Sequence, residues 1–202
     1  MHPPRLPPLE PPHPPELAEE LARLMPPGLP PLALFRTLAH NPRVLRKFRQ
    51  GSLLDRGSIE RREREIVILR TCARCGSEYE WGVHVTVFAA RVGLTDAQVA
   101  ATLLPSAFAV DDAAWSPRDR LLLRVADELH DSATLSDALW SELAGSFQPE
   151  QLVELIVLAG FYHTVAFVTN ALGVPLEASA ARFRSPAVTV ATGGLGPVTV
   201  MR

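Results

Sequence analysis

The spacing of apolar residues is the feature that most constrains this fold, because it is helical almost without interruption from Leu32 onward. Apolar side chains recur every three or four residues, as they do on the buried face of an amphipathic helix. Long alternations of apolar and polar residues, which are typical of strands, are absent from the middle of the chain. The sequence therefore predicts an all-α domain over residues 32–182.

Helix boundaries within this domain are marked by capping residues. Thr95 and Ser116 are suited to N-cap positions, and Pro117 is suited to the first helical position after Ser116. Gly93 is a natural stop for the helix that precedes it. These signals predict separate helices that pack together around a shared core.

The two ends of the chain have a different composition. Residues 1–31 hold 12 of the 19 prolines, and proline lacks an N–H and fixes φ. They predict an extended N-terminal extension, interrupted by one short helix at PELAEELARLM. Residues 183–202 are rich in glycine and β-branched residues, which predicts a short irregular or β-like tail. A hairpin, an arm on a neighbouring subunit and a disordered tail all fit this composition.

Composition and charge narrow the possible partners and the compartment. A net charge of -2 gives no reason to expect a nucleic acid or an anionic membrane as partner. The most apolar run, residues 155–168, is shorter than a membrane span and is expected to be a buried core helix. The chain shows no signal-peptide pattern and has two cysteines, so we expect the protein to be located in the reducing cytoplasm.

The stretch RTCARCGSEYEWGVH holds both cysteines and the strongest local signal, Gly76-Ser77. The glycine favours the end of one helix, and Ser77 is a good N-cap for the next. Glu80 stands where it could complete a capping box with Ser77, which is a structural role. It also shares a helix face with His84 four residues later, which is suited to proton transfer. The residues alone leave both interpretations open.

Glu65 lies one helix earlier, amid the arginines of RREREIVILR. It is either a solvated salt-bridge partner of Arg61 or Arg62, or a buried base aimed at His84 across the helix break. Its seven-residue spacing from Cys72 puts both side chains on one face of that helix. The second interpretation would bring Glu65, Cys72 and His84 to the same region of the fold.

The segment EREIVILRTCARCGSEYEWGVHVTVFAARVGLT resembles the carboxymuconolactone decarboxylase family, which is related to the alkyl hydroperoxidase D proteins. The matching features are the E-I-x-I-L-R helix, Y-E-W-x-x-H and the following G-L-T, and FYHTVAFVTNALGVPLE resembles the family's closing helix. The resemblance covers about residues 32–178. It implies an all-helical fold that assembles as a homo-oligomer, commonly a trimer or hexamer, with sites near subunit interfaces.

The resemblance also shows a departure at the redox cysteines. Glu65 and His84 fall on the glutamate and histidine of the hydroperoxidase motif, but Ser77 and Glu80 occupy its two cysteine positions. Cys72 and Cys75 come five residues earlier, near a helix C-terminus, where the helix dipole disfavours a thiolate. Cysteines three residues apart in an intact helix also have poor disulfide geometry. A redox role for these two thiols is therefore the second hypothesis.

The leading functional hypothesis is cofactor-independent acid/base chemistry on a small carboxylated or enolisable substrate, such as decarboxylation. His84 is the general acid/base, Glu65 or Glu80 orients it, and Tyr79 donates to the developing oxyanion. The predicted substrate-binding residues are Arg70, Arg74, Trp81 and His163, with Arg70 or Arg74 holding the carboxylate. The alternatives are a hydroperoxidase or disulfide reductase using both thiols, and a non-enzymatic oligomeric binding module.

A metal site is not expected from the sequence. Zinc needs about four ligands, and the C-x2-C-x8-H pattern formed by Cys72, Cys75 and His84 supplies three at an unusual spacing. His163 could join them only through the tertiary fold. We therefore predict no metal ligands and no cofactor.

Overall fold

A computed structural model of the protein describes residues 3–26, 28–105 and 115–183. All regular structure in these ranges is helical, which confirms the all-α prediction. The α-helices are α1 (Pro15–Ala22), α2 (Ala33–Leu38), α3 (Pro42–Gln50), α4 (Arg61–Arg74), α5 (Glu78–His84), α6 (Asp96–Ala101), α7 (Pro117–Ser132), α8 (Asp137–Ala144) and α9 (Pro149–Leu172). A π-helical turn at Val85–Ala89 and a 3-10 turn at Ala90–Val92 extend α5.

Helix α4 is the centre of the fold. It packs against α5, α7 and α9, and the four residues from Ile66 to Leu69 have no exposed surface. Because neighbouring helices surround it, α4 also buries charged side chains, including Glu63, Arg64, Glu65 and Arg70. Each buried charge needs a partner inside the protein, since an isolated ion in the interior is very unfavourable.

The break between α4 and α5 occurs at the predicted place. Gly76 adopts the left-handed conformation, with φ of 63°, and the amide of Ser77 donates to Cys72 O at 2.9 Å. This is a helix C-terminus of the kind that glycine favours. Ser77 is the N-cap residue of α5, as predicted, but the capping box with Glu80 is wrong. The Ser77 hydroxyl instead lies 2.9 Å from Thr169 Oγ1 of α9.

The predicted N-caps of two other helices are confirmed. The Thr95 hydroxyl accepts from the amide of Gln98 at the start of α6. The Ser116 hydroxyl accepts from the amide of Asp119 at the start of α7, and Pro117 occupies the first turn.

The described residues before α1 and after α9 lie against the outside of this helical core. The amide of Arg5 donates to Leu172 O at 2.9 Å, and that of Leu9 donates to Arg36 O, so the proline-rich segment lies along the surface before the short predicted helix α1. After α9, residues 174–183 cross α2 and α5. The irregular or β-like tail was predicted for residues 183–202. Apart from Phe183, these residues lie outside the part of the chain that the structure describes.

Helix α9 is both a core element and an exposed surface. By length and composition it could cross a membrane, and 44% of its most apolar window is buried inside the protein. The remaining apolar surface forms a stripe that is open to solvent in the single chain: Val153, Ile156, Val157 and Phe167. The expectation of a buried core helix is therefore met on one face only.

We predict that Gly82→Ala destabilises the protein by about 1–3 kcal/mol, because a methyl group there would overlap the backbone carbonyl of Ala181. A matched control is Gly160→Ala, since a Cβ at that helical glycine meets no atom within 4 Å among the described residues. The control should be neutral or up to about 1 kcal/mol more stable. Urea unfolding of both variants measures the difference, and equal midpoints would contradict the proposed overlap.

Candidate active site

Glu65 of α4 and His84 of α5 form a buried pair across the helix break. His84 Nδ1 lies 2.6 Å from Glu65 Oε2, and the two side chains have 2% and 0% of their surface exposed. A carboxylate only accepts here, so Nδ1 carries a proton and the ring is held in one orientation. The buried interpretation of Glu65 is the one that the structure adopts.

Two further groups meet the other ring nitrogen. Glu80 Oε1 lies 3.3 Å from His84 Nε2, and the hydroxyl of Tyr162 lies 3.1 Å from the same nitrogen. The Tyr162 ring stands at 88° to the imidazole, which fixes the ring edge-on. His84 is therefore held between two carboxylates and one phenol that come from α4, α5 and α9.

Arg64 supports the opposite side of Glu65. Its Nε and Nη2 atoms donate to Glu65 Oε1 at 3.0 and 2.9 Å, and its Nη1 donates to Leu54 O. Glu65 thus accepts from Arg64 with one oxygen and from His84 with the other. The Phe88 ring packs against both His84 and Arg64. Its centroid lies 5.0 Å from the centroid of the His84 ring and 5.8 Å from the Arg64 guanidinium.

The environment favours the charged form of His84. Burial by itself lowers the pKa of His84, but the hydrogen bonds and charges of Glu65 and Glu80 outweigh it and raise that pKa to about 9. Burial, followed by the charges of Glu80 and Glu65, raises the pKa of Tyr162 well above its ordinary value. At neutral pH the group therefore consists of an imidazolium and a neutral phenol.

A cavity of about 350 Å³ opens beside Arg64. Its lining includes three arginines, Arg56, Arg61 and Arg64, together with the apolar side chain of Ile59. Asp55, Gly57 and Glu154 complete the wall. Because Arg64 also binds Glu65, one guanidinium joins this cavity to the buried pair.

Tyr79 and Trp81 lie on α5 but make their polar contacts away from His84. The Tyr79 hydroxyl donates to Glu177 at 2.6 Å and accepts from the amide of Leu34, which ties α5 to α2 and to the C-terminal segment. The indole N–H of Trp81 donates to Thr102. The oxyanion role predicted for Tyr79 and the substrate contact predicted for Trp81 gain no support from these contacts.

Arg70 and Arg74 also have internal partners. Arg70 is fully buried and binds both carboxylate oxygens of Asp127, at 2.6 and 3.0 Å, as well as three backbone carbonyls after α6. Arg74 pairs with Asp127 and Asp131 on α7. Neither guanidinium is presented to His84, so we do not retain the predicted carboxylate-binding role for either.

The two cysteines point to different surroundings. Cys72 is buried in the core, and Cys75 is half-buried at the end of α4. Burial, followed by the charge of Glu80, raises the pKa of Cys72 well above its usual value, and burial also raises the pKa of Cys75. Both groups are therefore thiols at neutral pH. Cys75 Sγ lies 3.6 Å from His130, and His163, a predicted substrate-binding residue, packs against His130 rather than His84.

Two residues of the site, Arg64 and Tyr162, were not singled out from the sequence. The periodicity of α9 carried a signal for Tyr162, because it shares a buried face with Leu155, Leu158, Val165 and Ala166. His163 is one position off that face. Arg64 gave no such signal, since adjacent helical residues do not ordinarily face each other.

Comparison with known proteins supports the family resemblance. Residues 40–128, which include Glu65 and His84, match the sequence model of the Carboxymuconolactone decarboxylase family. The resemblance seen in the sequence is thereby confirmed over this segment. On that resemblance, Glu65 and His84 fall on the family's glutamate and histidine positions, while the cysteines are displaced from the family's cysteine positions. No curated protein matches its sequence.

Solved structures share the fold of this chain at low identity. An uncharacterized peroxidase-related protein from Silicibacter sp. TM1040 superposes with a TM-score of 0.73 at 17% identity, over 87% of this chain and 92% of that chain. The alkylhydroperoxidase AhpD core of an uncharacterized peroxidase-related protein from Ralstonia eutropha JMP134 gives 0.64 at 16%, over 88% and 95%. A variant of the debrominase Bmp8, in complex with 2,3,4-tribromopyrrole, gives 0.68 at 18%, over 86% and 92%. These similarities establish the alkyl hydroperoxidase D-like fold.

We predict that the titration midpoint of His84, followed by NMR of its ring protons, is close to pH 9 and falls in Glu65→Gln. The shift is downward because Glu65 contributes the strongest interaction that raises this pKa, while burial opposes it. Glu63→Gln on the same helix is the matched control, since Glu63 binds Arg118 and the amide of Glu60 instead. An unchanged midpoint in Glu65→Gln would contradict the assigned geometry.

Proposed function

We propose that this protein catalyses cofactor-independent proton transfer on a small carboxylated, enolisable molecule, as in a decarboxylation or a related lyase or isomerase step. The observation that carries the proposal is the buried imidazole of His84, whose Nδ1 is held by Glu65 and whose Nε2 faces Glu80 and Tyr162. A positioned imidazole with fixed orientation is suited to general acid/base catalysis.

The protonation state of His84 at neutral pH favours this residue as the general acid. Loss of CO2 breaks a carbon–carbon bond and leaves its electron pair on the substrate as an enolate, which must receive a proton on carbon. With a pKa of about 9, His84 carries that proton at neutral pH and can give it up from Nε2. Glu65 keeps the ring in place throughout, and the Tyr162 phenol, 3.1 Å from Nε2, is a donor for the developing oxyanion.

The arginine-lined cavity supplies a place for the substrate carboxylate. The lining holds three arginines against two acids, which leaves a positive balance that favours an anion, and Ile59 provides an apolar contact for the rest of a small molecule. Arg64 lines this cavity and also binds Glu65, so it connects the proposed carboxylate site to the buried Glu65–His84 pair. We therefore assign carboxylate binding to Arg64 and its neighbours in place of Arg70 and Arg74.

The redox hypothesis is the second candidate, and the peroxidase-related and debrominase structures keep it relevant. Against it stand the buried position of Cys72 and the raised pKa of both thiols, because the thiolate is the reactive form. Without turnover of any substrate, ligand binding in the same cavity would favour the third hypothesis, a binding module.

We also propose that the protein forms a homo-oligomer through the apolar stripe of α9. Val153, Val157 and Phe167 expose 64%, 51% and 66% of their surface in the single chain. Exposed apolar side chains on one helix face are typical of protein interfaces. A subunit contact there would bury them without disturbing the face that carries Tyr162.

We expect turnover of a panel of lactones and keto acids, followed by CO2 release and by deuterium incorporation at carbon, to fall by about 10²–10⁴-fold when His84 is replaced. The double variant Glu65→Gln/His84→Gln removes the imidazole and its buried counter-charge together, which protects the fold. His40→Gln, an exposed histidine at the end of α2, is the control. Wild-type activity should decline as pH rises through about 9, and an active double variant would refute the proposal.

A single thiol substitution separates the acid/base and redox hypotheses. Because disulfide chemistry needs both thiols, Cys72→Ala should abolish any hydroperoxide reduction while acid/base turnover continues near the wild-type rate. Thiol titration before and after peroxide treatment gives an independent readout. Acid/base turnover lost in Cys72→Ala, in a variant with unchanged circular dichroism, would favour the redox hypothesis.

A further inference from the structure

A second cluster of reactive side chains lies outside the candidate active site. Cys75 ends α4, His130 is in the last turn of α7, and His163 is in the middle of α9. Their ligand atoms, one sulfur and two ring nitrogens, all lie within 4.8 Å of one another. All three side chains are half-buried, so solvent can reach the point on which they converge.

Two of the separations within this cluster are those of a tetrahedral metal site. Zn–N and Zn–S bonds of about 2.0–2.1 and 2.3 Å, at tetrahedral angles, place two nitrogens about 3.3 Å apart and a nitrogen and a sulfur about 3.6 Å apart. His130 Nδ1 lies 3.2 Å from His163 Nε2 and 3.6 Å from Cys75 Sγ. These two separations match such a site, and the third pair, Cys75 Sγ and the His163 nitrogen, lies within 4.8 Å.

Hydrogen bonds around the cluster orient two of the three residues. His163 Nδ1 lies 2.9 Å from Ala159 O, and a carbonyl only accepts, so the proton is on Nδ1 and the lone pair of Nε2 faces Cys75 and His130. This is the outer hydrogen bond that metal-binding histidines commonly have. The Asn170 amide donates to Cys75 O at 2.9 Å, which fixes the backbone of the cysteine.

We propose that Cys75, His130 and His163 bind a zinc ion, with water in the fourth position. Thiolate and imidazole are ligands that zinc prefers, and three protein ligands with one open position are typical of accessible zinc sites. The nearby cation Arg74 is paired with Asp127 and Asp131, so its charge is compensated. The sequence did not suggest this site, because the third ligand is His130 and not His84.

The ion would connect three helices at one end of the fold. α4, α7 and α9 are the elements that form the core, and Cys75 directly precedes the Gly76-Ser77 break. A zinc ion that binds only the folded chain stabilises it by a free energy that grows with the logarithm of the zinc concentration above Kd. This effect is independent of any turnover at His84.

Cobalt titration of the reduced, metal-free protein tests the proposal. We expect a thiolate-to-cobalt charge-transfer band and intense visible bands of tetrahedral Co²⁺, both removed by one equivalent of Zn²⁺. Cys75→Ala and His163→Gln should each weaken Zn²⁺ binding by about 100-fold or more. Cys72→Ala, three residues earlier on the same helix, is the matched control and should keep the spectrum and the affinity.

Thermal unfolding gives a second readout. Excess Zn²⁺ should raise the Tm of the wild-type protein and of Cys72→Ala, but not that of Cys75→Ala. The wild-type cobalt spectrum decides the question even if a variant fails to fold. Weak octahedral cobalt bands without charge transfer, or Zn²⁺ affinity that is equal in Cys75→Ala and wild type, would show a hydrogen-bonded cluster only and overturn the proposal.

Discussion

The placement of charged side chains on helix α4, whose residues 63–72 are all buried, is the constraint on which the rest of the structure depends. Glu65 and Arg70 have 0% and 1% of their surface exposed, and each binds a side chain on another helix, Glu65 in addition to its pair with Arg64 on α4. Glu65 therefore fixes the position of His84 and α5, while Arg70 fixes Asp127 and α7. Removing one member of such a buried pair typically costs about 3–5 kcal/mol, because the other charge is left uncompensated. The helices around α4 are thus held in register by pairs, not by apolar packing alone.

Charge balance explains the raised pKa of His84. Glu65 and Glu80 contribute two negative charges to the group, and Arg64 and protonated His84 contribute two positive ones. Loss of the His84 proton would leave a net negative charge in a buried setting, which is unfavourable. Stability is a weak reason for such a group, since apolar side chains of similar volume often stabilise a fold as well as a buried ion pair does. The arrangement is better suited to holding and releasing a proton.

The parts of this structure that could be predicted from the sequence are those set by local chemistry. Gly76, Thr95 and Ser116 mark helix ends because their preferences depend on adjacent backbone groups, and all three act as predicted. The Glu65–His84 contact was predicted from the alignment of these two residues with the glutamate and histidine of the family motif. Tertiary packing decided the rest: the Ser77 hydroxyl contacts Thr169 instead of capping α5. Arg70 donates its hydrogen bonds to Asp127 and to backbone carbonyls more than 30 residues away in sequence. Periodicity gives the face of a helix but not the helix that covers it.

The two cysteines have different surroundings although they are close in sequence. Both lie at the end of α4. Cys72 is buried in the core, while Cys75 points toward α7 and α9, with its sulfur beside His130. Helix α9 divides its side chains in the same way: Tyr162 contacts His84, and the next residue, His163, contacts His130. Successive residues in a helix differ by about 100° in direction, so Tyr162 and His163 of α9 belong to separate clusters. The C-x-x-C spacing brings the cysteines close in sequence, but the fold assigns one to packing and the other to a histidine pair.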